Sequence, residues 1–151
     1  MAQTTGAGWS PGRALGLDLG EARIGVAVSD PERRLAVPVG TIRVGQPPGE
    51  LRAVAAMVGE YAAALVVVGV PLSMSGEEGP AARKASSFVE ALRGVLNVAV
   101  ELQDERLSTA QAERALADAG ASGRERRAAV DASAAAVILQ AWLDAHRPVQ
   151  P

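Results

Sequence analysis

Large and small residues alternate through "ALGLDLGEARIGVAVSD", residues 14–30. Leu15, Leu17 and Leu19 are offset from Ala14, Gly16 and Asp18, and Ile24, Val26 and Val28 from Gly25, Ala27 and Ser29. A period of two predicts two strands, each with a large-residue face and a small-residue face. Gly20 and Glu21 between them suit a hairpin turn. A third strand is expected within "RLAVPVGTIRV", where Pro38, lacking an N–H, marks an edge or a bulge. Beyond "GQPPG" the spacing turns helical, with Leu51, Val54, Ala55, Val58 and Ala62 on one face. The continuous apolar run "ALVVVGV" that follows reads as a strand buried on both sides.

After the loop Pro71 to Gly79, a second helix is expected from about Ala81 to Val95, then a strand in which Val98, Val100 and Leu102 alternate. Ser108 and Gln111 form an S-x-x-Q capping box, so a third helix should start at Ser108 and end near Gly120. "ASGRER" reads as a charged loop, and "RAAVDASAAAVILQAWLDAH" as a final, alanine-rich helix. The order is βββαβαβαα, a mixed α/β domain with a five-stranded sheet flanked by helices. Helical crossovers make the last two strands parallel to the first. Residues 1–12 and 148–151 are expected to be flexible tails on one domain spanning 13–147.

Composition narrows the chemistry. With 151 residues, 48% apolar and 21% charged, the chain has the make-up of one globular domain, and no apolar run is long enough to span a bilayer. The N-terminal stretch lacks the basic start and apolar centre of a secretory signal, so the expected compartment is the cytoplasm. There is no cysteine, and the single histidine is His146, close to the C-terminus. Thiol nucleophiles and Cys-ligated zinc are excluded, which leaves carboxylates, hydroxyls, arginines or a bound ion. A net charge of −2 argues against a broadly basic nucleic-acid-coating surface but is compatible with a local basic patch.

Acidic residues then stand out. Asp18 interrupts an apolar strand and is flanked by glycine on that strand's small-residue face, where a structural role is hard to find. Asp104 and Glu105 follow the last strand, and Asp131 lies near the start of the last helix. Taken singly, the latter three have bland readings: exposed loop acids, or an acid favouring a helix N-terminal dipole by about 0.3–1 kcal/mol. Gly16, Gly25 and Ala27, however, allow another element close to the sheet, and Ala128, Asp131, Ala132 and Ala135 form a matching helical stripe. That stripe would bring Asp131 to Asp18. With the first and last strands parallel, Asp18 and Glu105 lie toward their carboxyl ends, where open α/β sheets place their sites. Carboxylates about 4 Å apart repel by about 4 kcal/mol at an effective dielectric near 20, so such a cluster calls for a cation. Mg²⁺ or Mn²⁺, with oxygen ligands and a substrate phosphate, meets that need.

Four segments together carry a resemblance: "LGLDLGEARIGVAVSD", "VVVGVPLSMSGEEG", "LQDERLSTAQAE" and "RRAAVDASAAAVILQAWLD". In order and spacing they resemble the YqgF (RuvX-like) family of the RNase H-like superfamily, described as Holliday junction resolvases or pre-16S rRNA nucleases, over Arg13 to Arg147. The resemblance implies an RNase H-like fold and metal-dependent phosphodiester cleavage, most favourably in 16S rRNA 5′-end processing. It implies Asp18, Glu105 and Asp131 as metal ligands, with Asp104 outside the direct ligand set. A nucleic-acid partner, pre-16S rRNA or branched DNA, is expected, and a homodimer if the substrate is a junction.

Arg23, Arg83, Lys84 and Arg106 are candidates for phosphate contact, against the reading that they are solvated surface charges. Ser108 and Thr109 suit a helix cap better than a nucleophile, since no histidine is at hand to activate them. The 71–79 loop reads either as a flap over substrate or as a plain connector. Two other function classes compete. ATP-binding proteins with a similar D-x-G hairpin hold nucleotide between two domains, and this chain has room for one. A non-catalytic RNA-binding protein of the same fold is opposed by the presence of all three acids.

Overall fold

The computed structural model describes residues 11–20, 22–45, 49–70, 79–104 and 124–147. Residues 1–10 and 148–151 of the sequence-predicted tails, the 71–78 part of the loop and the helix beginning at Ser108 lie outside these residues, whereas Gly12 of the predicted N-terminal tail is tied down, its N–H donating to the Pro31 carbonyl at 3.1 Å. The described elements run β1 (Arg13–Leu19), β2 (Arg23–Ser29), β3 (Ala36–Arg43), α1 (Gly49–Tyr61), β4 (Ala63–Val70), α2 (Pro80–Val95), β5 (Ala99–Asp104) and α3 (Arg124–Ala145).

The five strands form one sheet in the order β3-β2-β1-β4-β5. β1 pairs antiparallel with β2, and β2 with β3. β1 pairs parallel with β4, and β4 with β5, as helical crossovers require. Pro38 sits both on an edge strand and at an irregularity: Val26 pairs with Gly40 but Ala27 with Pro38, so β3 carries an extra residue there.

Strand alternation sorts the sheet into two faces. Leu15, Leu17, Ile24, Val26, Val66 and Val68 are buried in one cluster with Val54 of α1 and Val89 and Leu92 of α2. Ala14, Ala27, Leu65 and Val67 pack on the opposite face against Ala135, Leu139 and Leu143 of α3. β4 lies between β1 and β5 and is buried throughout Leu65–Val70, as its unbroken apolar run predicts.

The small-residue face admits α3 at very short range. A Cβ on Gly16 would stand 2.6 Å from the Leu139 Cβ, and one on Gly25 would collide with the Asp131 carbonyl oxygen. Gln140, an amide the sequence pattern did not single out, fixes the same helix to the sheet edge. Its Oε1 accepts from the Ala36 N–H at 2.8 Å, and its Nε2 donates to the Arg34 carbonyl at 3.0 Å.

Two local expectations need correction. α3 begins at Arg124, so Arg124 to Arg126 belong to the helix rather than to a charged loop; Arg and Glu are strong helix formers and extend it. Ala62 does not continue the face of α1, which ends at Tyr61. Ala62 takes a left-handed φ of 52° and turns the chain directly into β4.

Candidate metal centre

Asp18 is the next-to-last residue of β1, and its register partner across the hairpin is Gly25. Paired residues share a sheet face, so both belong to the face that α3 covers. The Asp18 side of the sheet is closed over, leaving this residue only 3% exposed. An ionised carboxylate so deeply placed is costly unless charge or hydrogen bonds compensate it.

Asp131 reaches the same spot from α3. Its carbonyl oxygen lies over Gly25, the residue opposite Asp18. A side chain at position 25 would hold the helix off, so glycine there is a packing requirement rather than a turn signal. Asp131 is the eighth residue of α3, beyond the first turn where a helix dipole acts appreciably, which removes the dipole explanation. Its Oδ2 instead accepts from Arg23 Nε at 2.9 Å, with both side chains about one-fifth exposed (21% and 19%). Arg23 opens β2 two positions before Gly25 and therefore shares its face. Arg23, a sequence candidate for phosphate contact, thus touches a predicted metal ligand in the structure.

β5 is parallel to β4, and β4 to β1, so all three end on one edge. Asp104 closes β5 opposite Val70. Glu105 and Arg106 lie outside the described residues. Arg83 and Lys84 occupy the first turns of α2 and are exposed, with the Arg83 N–H donating to the Gly79 carbonyl at 3.0 Å. Lys84 also borders an apolar cleft of about 270 Å³ lined by Leu19, Ile24, Leu51 and Phe88. Leu19 and Ile24 belong to the α1/α2 face, so this cleft opens on the side of the sheet opposite Asp18.

Asp18 and Asp131 provide oxygen donors only, a set that suits a hard divalent ion better than a soft one. His146 takes no part, because its ring stacks on Trp142 with centroids 4.0 Å apart. Among the described residues no group of three potential ligands is complete; the third sequence-predicted ligand, Glu105, falls outside them. No described helix is long and apolar enough to cross a membrane.

Comparison with known proteins places this geometry in context. A protein from Anaeromyxobacter sp. (strain Fw109-5), named "Putative pre-16S rRNA nuclease", is 51% identical over 132 residues, covering 87% of this chain and 96% of its own. A Roseiflexus sp. (strain RS-1) protein of the same name is 43% identical over 137 residues, covering 91% and 97%. Among solved structures, T. thermophilus RuvC in complex with a Holliday junction substrate matches with a TM-score of 0.51 at 17% identity, over 91% of this chain and 99% of that one. A fowlpox virus resolvase bound to Holliday junction DNA matches at 0.51 and 10% identity, over 90% and 99%. At such identities these two establish the fold, which is RNase H-like as the sequence resemblance implies. The family model described as "RuvX: Holliday junction resolvase" matches residues 12–145, and the chain belongs to the RuvX family.

Proposed function

We propose that this protein is a metal-dependent nuclease that hydrolyses phosphodiester bonds in the 5′-end processing of 16S rRNA precursors. The observation that carries the reading is the burial of Asp18 on the glycine-lined face where α3 delivers Asp131. A fold has little use for an acid at that position, whereas a divalent-ion site needs one. The names of the relatives at 51% and 43% identity support RNA as the substrate.

Asp18, Asp131 and Glu105 would hold Mg²⁺ or Mn²⁺. Glu105 is taken over Asp104 as the third ligand on the strength of the family resemblance. When bound, the ion supplies water activation and charge stabilisation at the leaving oxygen. The chain's own part is to fix Asp18 on the sheet and Asp131 on the helix, both at Gly25, before substrate arrives. Arg83, Lys84 and Arg106 are proposed to meet the substrate backbone. The sequence has few aromatic residues on which to stack bases, which favours contacts to backbone and shape.

A DNA junction is the second reading, favoured by the family description and by the resolvase structures. Cutting two symmetric strands would call for a homodimer. The test is direct: purified protein is incubated with 16S rRNA precursor and, separately, with a four-way junction, in Mg²⁺ or Mn²⁺. Trimming of the precursor that disappears in Asp18→Asn supports the proposal. Cleavage of the junction alone favours the second reading, and cleavage retained by Asp18→Asn defeats the site assignment.

A further inference from the structure

The Arg23–Asp131 pair is not explained by holding the fold together alone. We propose that Arg23 is the resident counter-cation of the carboxylate site, balancing Asp131 when no divalent ion is bound and competing with that ion for the carboxylate. The inference rests on Asp131 being a metal ligand.

Three observations converge on it. Arg23, Gly25 and Asp18 share one sheet face, so a guanidinium is built into the wall of the acidic site. Its Nε donates to Asp131 Oδ2 at 2.9 Å, engaging an oxygen that metal coordination would use. The pair is also partly withdrawn from water, at 21% and 19% side-chain exposure, so solvent screens it less than an open surface pair. Arginine keeps its proton throughout the working pH range, so it cannot step aside by neutralising. A divalent ion must therefore either displace the guanidinium from Asp131 or bind against its charge. Both routes weaken metal binding, while the Arg23 hydrogen bond holds Asp131 in place before the ion arrives. The fixed backbone contact between Asp131 and Gly25 lets the side chain change partner without moving α3.

The experiment measures Mn²⁺ binding to the full-length protein by calorimetry, without nucleic acid, alongside thermal unfolding in EDTA. Arg23→Gln keeps a hydrogen-bonding side chain but removes the charge, and it should bind Mn²⁺ about fivefold more tightly. That is the fold-change equivalent to ~1 kcal/mol, the upper range of a partly exposed ion pair. The same variant should melt about 2–4 °C lower in EDTA. Arg23→Lys should return both quantities toward wild type, which a purely shape-based role of arginine would not produce. Asp131→Asn, measured in parallel, should lose Mn²⁺ affinity. If Asp131→Asn loses affinity while Arg23→Gln binds Mn²⁺ no more tightly than wild type, the counter-cation role is overturned and the metal site stands. If Asp131→Asn binds Mn²⁺ as wild type does, the metal reading falls and this inference falls with it.

Discussion

The peptide carbonyl of Asp131 occupies the space that a Cβ at position 25 would need, so the hairpin and the last helix meet backbone to backbone at Gly25. Gly25 is in turn the register partner of Asp18. One glycine thus sets the distance between the strand pair that carries Asp18 and the helix that carries Asp131.

Gly25→Ala should accordingly be among the most damaging single-methyl additions in the molecule. The obstacle is backbone, which cannot rotate away, and α3 would have to lift from β2. Overpacking of this sort costs about 1–3 kcal/mol. Chemical denaturation should show that loss, and Mn²⁺ binding should weaken more than stability alone explains. Ala27→Gly, on the same face beside it, serves as the control: it should cost stability without shifting the metal affinity of the folded fraction. Wild-type stability in Gly25→Ala would contradict the packing described.

Asp18→Asn should separate function from folding. The change is nearly isosteric and keeps a hydrogen-bonding side chain at a position 3% exposed, so the variant should stay folded and melt in EDTA near the wild-type temperature. Wild-type protein should gain stability as Mn²⁺ is added, because a ligand that binds only the folded state stabilises it by mass action. Asp18→Asn should lose most of that gain. A melting temperature in EDTA several degrees below wild type would show instead that Asp18 is a structural acid.

These contrasts show which features were legible in the sequence. The hairpin was, because Leu15, Leu17 and Leu19 against Ala14, Gly16 and Asp18 fix both the strand and its faces. Asp18 stood out as the polar exception in that pattern, and Gly16 and Gly25 announced a close approach. Arg23–Asp131 was not legible: the partners lie 108 residues apart and meet only through the crossing of β2 and α3. Gln140 escaped notice for the same reason, since its partners Ala36 and Arg34 belong to the β3 edge. Helix limits failed where local preference and tertiary packing compete. Arg124 to Arg126 look like loop by charge but are good helix formers, and Ala62 fits the α1 period yet is needed to turn the chain into β4.

Ala62 offers a gain in stability. A non-glycine residue at a φ of 52° pays a left-handed penalty of about 1–2 kcal/mol, part of which glycine returns through its freer unfolded chain. Ala62→Gly should therefore stabilise the protein by about 0.5–1 kcal/mol, read as a higher urea midpoint at unchanged slope. Position 62 is exposed and on the loop side of β4, away from Asp18, so Mn²⁺ affinity should not move. A lower midpoint would mean that the alanine methyl makes a contact worth more than the strain.

Acid stability should depend on Asp30. Its Oδ1 accepts from the Arg34 N–H at 2.7 Å and the Leu35 N–H at 2.9 Å, closing the turn between β2 and β3. Partial burial pushes this carboxyl upward, but the N–H groups of Leu35, Arg34 and Asp30 itself, with the Glu32 side chain, together outweigh it and hold the pKa below the ordinary carboxylate value. A depressed folded pKa means that the unfolded chain takes up its proton first as pH falls. The stabilisation is therefore complete above the unfolded pKa, near 4, and is lost as pH drops through the folded value. Asp30→Asn keeps an acceptor oxygen but cannot titrate, so its urea midpoint should fall less than wild type between pH 7 and pH 3. Asp30→Ala removes the acceptor and should cost about 1 kcal/mol already at pH 7, the usual worth of a hydrogen bond at an exposed turn. An acid limb in Asp30→Asn as steep as that of wild type would assign the pH dependence to other carboxylates.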